Sequence, residues 1–124
     1  MIITLFVWLF ALFLMAGGIT HFVYPAVFDG FMPSFIPKTP AHILAGVAEI
    51  TIALALVLPK FRTFGGLFAA MLCTAYLPFH IWDLFRPDPI VAPLWAAITR
   101  LFVQFAMIGF GIRLWRTEPN VRSN

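Results

Sequence analysis

A single carboxylate, Glu49, lies near the middle of an otherwise apolar run from residue 41 to residue 59. A charged side chain at membrane depth costs roughly 3 kcal/mol on insertion scales, so it is rarely present without a partner or a task. A buried acid of this kind can exchange protons with a bound molecule. Glu49 is therefore the first candidate for a functional residue.

Other polar side chains are predicted to lie at similar depth. At the helical rise per residue, Glu49 lies roughly 12 Å and Arg100 roughly 10 Å below the outer membrane face, which predicts that they form an ion pair. Gln104 is one turn from Arg100 on the same helix face. A polar, ligand-binding pocket in the outer half of the membrane is thus predicted, formed by His21, Glu49, Tyr76, His80, Arg100 and Gln104.

Each of these residues also has a structural interpretation. The pair of Glu49 and Arg100 could serve only to fix helix register, and His21 and His80, near helix ends, could reach to the lipid headgroups. Asp83 is interpreted as interfacial, and Cys73 as a small packing residue. The histidines and carboxylates show no metal-ligand spacing such as HExxH, so no metal site is predicted.

Composition indicates the class of protein that holds these side chains. Of the 124 residues, 62% are hydrophobic and 10% are charged, whereas soluble domains are roughly half apolar and a quarter charged. The prediction is an all-α, integral membrane four-helix bundle in one domain over residues 1–124. Its four spans are predicted at about 2–23, 41–58, 64–85 and 93–114.

The segment between the first two spans, residues 24–40, contains four prolines. Proline fixes the backbone and removes a hydrogen-bond donor, so a continuous helix is excluded there. The segment is also too aromatic for a solvated loop. Its apolar side chains are predicted to lie in the membrane interface or over the mouth of the bundle, which makes the segment a candidate lid: Phe28, Phe31, Phe35 and Ile36.

The basic residues predict the orientation. Five lie on the side of the 58–64 turn and the C-terminus, and two on the opposite side: Lys60, Arg62, Arg113, Arg116 and Arg122 against Lys38 and Arg86. By the positive-inside rule, this is a multi-pass protein of the cell (inner) membrane with both termini in the cytoplasm. The net charge of +3 is thus explained by topology, and no nucleic-acid partner is predicted.

In their order along the chain, several short motifs resemble the DoxX-like family of small membrane proteins, from Gly17 to about Arg113. The matching residues are Gly18, His21, Phe22 and Pro25; Gly46 and Glu49; Leu56, Pro59 and Arg62; Pro78; and Arg100, Leu101 and Gln104. The chain departs from the family pattern at His80, where an amide is common, and at Phe102, where proline is frequent. The resemblance implies a four-helix membrane bundle linked to quinone-coupled sulfur oxidation, to oxidative-stress complexes or to maturation of other proteins.

Three functional hypotheses follow. In the first, the pocket binds a hydrophobic molecule with a polar head, such as a quinone or an isoprenoid lipid, and the protein is the membrane subunit of a complex with a partner redox protein. In the second, the bundle is a scaffold or chaperone-like partner whose polar core is structural. In the third, it is a lipid-modifying, isomerase-type enzyme that uses Glu49 and the histidines. Gly109 and Gly111 suggest close helix packing, which leaves a homo-oligomer open.

Overall fold

The computed structural model describes residues 1–117, and within them all regular structure is helical. Four long helices are joined by short segments, which confirms the all-α class and the four predicted long helices. The elements are α1 (Ile2–Val23), α2 (Ala26–Asp29), α3 (Lys38–Val57), a 3₁₀ turn (Pro59–Phe61), α4 (Arg62–Phe85) and α5 (Leu94–Thr117).

The helix ends differ from the predicted spans. Helix α3 begins at Lys38, three residues before the predicted start, because Pro40 lies in its first turn, where proline removes no intrahelical hydrogen bond. Helix α4 begins at Arg62, two residues before the predicted start. Helix α5 continues to Thr117. Between α1 and α3 the proline-rich segment contains the single helical turn α2, so it is not wholly irregular.

The outer surface of the bundle is apolar. All four long helices are long and apolar enough to cross a membrane. Large apolar side chains face outward on several of them, including Leu44 and Phe102, each 71% exposed, and Trp95, 70% exposed. Contiguous apolar surface of this extent is unfavourable in water. The four apolar helices therefore indicate a multi-pass membrane protein.

Glycines allow the helices to approach closely in two pairs. In the first pair, α1 and α3, Gly18 faces Gly46, and a Cβ atom built on either would lie 3.0 to 3.1 Å from the carbonyl oxygen of the other. In the second pair, α4 and α5, a Cβ atom on Gly111 would lie 2.6 Å from the carbonyl oxygen of Gly66. Gly109, in contrast, faces open space. Of the two glycines singled out from sequence, only Gly111 thus mediates packing within the chain.

Asp83, interpreted from sequence as interfacial, is instead fully buried. Its carboxylate accepts hydrogen bonds from the backbone N–H groups of Ile90, at 2.7 Å, and Val91, at 3.2 Å. It also accepts one from Nη2 of Arg100 at 3.1 Å. One side chain therefore ties the end of α4 to the following turn and to α5. The interfacial interpretation failed because the turn folds back over the end of α4 and covers this side chain.

We expect Gly111→Ala to destabilise the bundle by about 1–3 kcal/mol, because the added methyl group must push α4 and α5 apart. Thermal unfolding in detergent or lipid nanodiscs measures the change. Gly109→Ala is the matched control and should leave the melting temperature unchanged or slightly higher, since alanine favours a helix. Equal melting temperatures for both variants would contradict the close packing of α4 and α5.

Asp83→Asn should cost about 3 kcal/mol of stability, because it removes the charge that compensates the Arg100 guanidinium while leaving the latter partly buried. Asp88→Asn, an exposed acid in the same turn, provides the control and should have almost no effect. The same unfolding assay applies. An Asp83→Asn protein as stable as the control would show that the bundle does not depend on this carboxylate.

Candidate functional site

A cavity of about 500 Å³ lies between the helices and is partly enclosed. Ligand pockets in proteins typically have volumes of about 300–1,000 Å³. Most of its lining is apolar, with Phe13 and Leu14 from α1 and Val103 and Met107 from α5. The cavity thus has the size and character of a site for a small hydrophobic molecule.

The polar part of the lining contains all six residues predicted from sequence. They come from all four long helices: His21, Glu49, Tyr76, His80, Arg100 and Gln104. The structure therefore brings these six side chains to one cavity. That they bind a ligand remains a prediction.

The surroundings of Glu49 differ from the prediction. Its Oε1 accepts a hydrogen bond of 2.6 Å from the Tyr76 hydroxyl and lies 3.6 Å from Nε2 of His21. The predicted ion pair between Glu49 and Arg100 is wrong, because the guanidinium is held by Asp83. Counting depth along helices placed both groups at the right height but could not determine their direction around the helix axes. A Cβ atom on Gly17 would overlap Oε2 of Glu49, so glycine at this position leaves room for the carboxylate.

Arg100 is positioned by three residues, two from α4 and one from the proline-rich segment. Besides its bond to Asp83, its Nη2 lies 3.4 Å from the carbonyl oxygen of His80, and its guanidinium stacks over the ring of Phe31 at 5.0 Å. Nε of Arg100 and Nδ1 of His80 are buried with no hydrogen-bond partner among the described residues. Buried polar atoms are usually paired, so this corner of the cavity retains unused hydrogen-bonding capacity.

Gln104 contributes to packing as well as to the lining. Its Nε2 donates a hydrogen bond of 2.6 Å to the carbonyl oxygen of Cys73, which links α5 to α4 at the level of the cavity. Cys73 itself is a free, buried cysteine, in agreement with its interpretation as a small packing residue. The amide of Gln104 keeps its oxygen as a further acceptor.

The proline-rich segment covers the cavity. Phe28, Phe31, Met32 and Ile36 line it, whereas Phe35 is 82% exposed and points away. The ring of Phe28 stacks on that of His21, with centroids 4.1 Å apart. The predicted position of the segment over the mouth of the bundle is confirmed for three of its four named side chains.

Two polar residues at the site were missed from the sequence. His42 is 6% exposed and contacts both His21 and Asp29. It lies two helical turns before Glu49, which places both on one face of α3, so a search of that face would have found His42. Asp29 follows no such spacing, because it lies in the segment between α1 and α3.

In residues 1–117, no group of three or more His, Cys, Asp or Glu side chains is placed to hold a metal ion. The imidazole and carboxyl groups at the site can take part in hydrogen bonding and proton transfer.

Comparison with known proteins leads to one correction. No curated protein sequence and no solved structure matches the chain. The resemblance to the DoxX-like family is wrong, because the matching family model is a different one and no DoxX match is found. Short motifs such as G-x-x-E and R-L-x-x-Q are satisfied by many apolar helices, which is why their order was misleading. The family described as "Domain of unknown function (DUF8561)" matches residues 10–115, and the chain therefore belongs to this family.

Proposed function

We propose that this protein binds a small hydrophobic molecule with a polar head inside its helical bundle. The observation that carries the proposal is the cavity of about 500 Å³, in which apolar walls surround a few converging polar side chains. This combination is typical of ligand sites, where apolar surface supplies affinity and polar groups fix orientation.

The lining defines the chemical form of the ligand. Phe13, Val103 and Met107 offer an apolar surface to its body. Glu49 and Gln104 can accept hydrogen bonds from a head group, and Arg100 can donate them. A quinone and an isoprenoid lipid both have this form. A role as the membrane subunit of a redox complex would in addition require a quinone and a partner redox protein.

A scaffold function is the second candidate, and a specific observation favours it. Several polar side chains of the cavity already have partners within the protein: Tyr76 with Glu49, Asp83 with Arg100, and Gln104 with the Cys73 carbonyl. Such pairs can serve only to specify helix packing. In that case the cavity would contain no specific ligand, and the function of the protein would be association with another membrane protein.

The proposed placement is a multi-pass protein of the cell (inner) membrane with its termini in the cytoplasm and the cavity toward the outer face. Four basic residues support this placement under the positive-inside rule. They lie at the end of the bundle opposite Asp29 and Asp83: Lys60, Arg62, Arg113 and Arg116. Arg122, which also entered that prediction, lies outside the described residues.

We expect Ala45→Phe to abolish ligand binding, because Ala45 lines the cavity and a benzyl group would fill much of it. Native mass spectrometry and lipid extraction of the purified protein would detect a molecule that co-purifies with the natural sequence and is lost from the variant. Leu44→Phe is the matched control. Its position is the neighbouring, outward-facing residue of α3, and the variant should retain the molecule.

Two results would contradict the ligand proposal. One is the absence of any stoichiometric small molecule from the protein purified in mild detergent. The other is equal retention by Ala45→Phe and Leu44→Phe. With a folded bundle in both variants, either result would favour the scaffold function.

The orientation can be tested with single cysteines, because the native Cys73 is buried. Asp88→Cys and Lys60→Cys introduce thiols at exposed positions in opposite turns. A membrane-impermeant maleimide added to intact cells should label Asp88→Cys, whereas Lys60→Cys should react only after permeabilisation. The reverse pattern would show that the termini face outward.

A further inference from the structure

Four side chains form a line of polar contacts from the bundle surface to the cavity. Oδ1 of Asp29 lies 2.8 Å from Nε2 of His42, and Nδ1 of His42 lies 2.9 Å from Nδ1 of His21. Nε2 of His21 lies 3.6 Å from Oε1 of Glu49, which lines the cavity. Every member of this line can gain or lose a proton.

The line runs from an exposed end to a buried one. The side chain of Asp29 is 36% exposed and that of His42 is 8% exposed, while those of His21 and Glu49 are each 7% exposed. Neither Asp29 nor His42 belongs to the cavity lining. These two residues therefore connect the cavity to the surface without being ligand contacts themselves.

The contact between the two imidazoles determines the positions of the protons. One Nδ1 must carry a hydrogen and donate it, while the other must accept with its lone pair. Because a neutral imidazole has a single N–H group, the direction of this bond decides which Nε2 atom is protonated. The two rings are thus coupled, and the tautomer of His21 fixes that of His42.

Three arrangements with the same number of protons satisfy the contacts. In the first, protonated Glu49 donates to Nε2 of His21, and Nδ1 of His21 donates to Nδ1 of His42. Nε2 of His42 then donates to Asp29. In the second, the histidine pair shares the proton between its Nδ1 atoms, and both Nε2–H groups donate to carboxylates. In the third, Asp29 holds the proton and both hydrogen bonds of the histidines are reversed. Passing from the first arrangement to the third moves a proton from the cavity to the surface at constant net charge.

We propose that Asp29, His42, His21 and Glu49 form a proton relay between the surface of the bundle and its cavity. We further infer that the cavity takes a molecule whose head group exchanges a proton, such as a hydroxyl. The statement about the head group rests on the proposed function, whereas the relay does not require it.

The transfer balances in protons and charge. The O–H bond of the head group breaks, its proton passes to the Glu49 carboxylate, and the ligand keeps the electron pair as an oxyanion. A proton then passes from Glu49 to Nε2 of His21, from Nδ1 of His21 to Nδ1 of His42, and from Nε2 of His42 to Asp29 and water. One proton leaves the ligand and one enters solvent, and Arg100 in the cavity lining favours the anion that remains.

The contact between His21 and Glu49 controls the relay. At 3.6 Å it is longer than a hydrogen bond of about 2.7–3.2 Å, so the carboxylate must shift by roughly 0.5 Å before a proton can pass. The Tyr76 hydroxyl holds the same oxygen of Glu49 from the other side, and the ring of Phe28 holds the face of His21. At the outer end, Nζ of Lys38 lies 3.9 Å from Oδ2 of Asp29.

The relay can be tested by infrared spectroscopy on the full-length protein in lipid nanodiscs. The carboxyl C=O band of protonated Glu49 is located in a pH series and assigned by its loss in Glu49→Gln. After rapid transfer to D₂O, the shift of this band gives the rate at which the Glu49 proton exchanges with water. We expect His42→Gln to slow this exchange by about tenfold or more, because glutamine cannot pass a proton.

Asp29→Asn provides a second variant at a partly exposed position, where a failure to fold is not expected to obscure the result. It should slow the exchange in the same direction. Asp88→Asn, an exposed acid in another turn at the same end, is its control and should exchange at the rate of the natural sequence. If Glu49 exchanged as fast in both His42→Gln and Asp29→Asn as in the natural sequence, the relay would be overturned. The absence of a protonated Glu49 band at every pH at which the protein is folded would also overturn it.

The outcomes for relay and ligand are separable. His42→Gln should retain the co-purifying molecule, because His42 is outside the cavity lining, whereas Ala45→Phe should lose it. Slowed exchange in His42→Gln without any bound molecule in the natural sequence would support the relay and contradict the proposed function. A bound molecule in the natural sequence, with unchanged Glu49 exchange in both His42→Gln and Asp29→Asn, would support the proposed function and contradict the relay.

Discussion

The bond between the buried carboxylate of Asp83 and the Arg100 guanidinium determines the arrangement of the outer end of the bundle. An ionised group enclosed by apolar helices must find its partners within the protein, because neither lipid nor water supplies them. Asp83 does so by binding the turn before α5 and Arg100 together. Arg100 in turn stacks on Phe31, so the position of the covering segment depends on the same carboxylate. The cavity beneath is a consequence of these bonds.

A second consequence is that Glu49 contacts no guanidinium group within residues 1–117. Since Arg100 is engaged by Asp83, the acid of α3 is left with the neutral hydroxyl of Tyr76 and the imidazole of His21. A carboxylate beside a strong, permanent cation would be held in its ionised form. Beside an imidazole, it has a neighbour that can itself donate or accept a proton. The division of the charged groups into two clusters thus separates a structural ion pair from a group able to exchange protons.

Much of this organisation could be predicted from the sequence, because it follows from hydropathy and helical spacing. Four apolar runs predicted the four long helices, and the depths of Glu49, Arg100 and Gln104 predicted that they meet at one cavity. Which polar side chains contact each other could not be predicted in the same way. Depth along a helix follows from residue number, but the rotation of each helix depends on contacts such as that of Gly111 with Gly66. The predicted partner of Glu49 was therefore wrong, and Asp29, which lies between the predicted spans, was not found.

Two neighbouring residues of the single turn α2 contact different parts of the site. Phe28 packs over His21 and lines the cavity, and Asp29 makes the outermost contact to His42. A displacement of this turn wide enough to admit a molecule past Phe28 would also pull Asp29 away from His42. Entry of a molecule past Phe28 and proton exchange through His42 would then exclude each other. An empty, open cavity would have no connection through Asp29 to the protons at the membrane face.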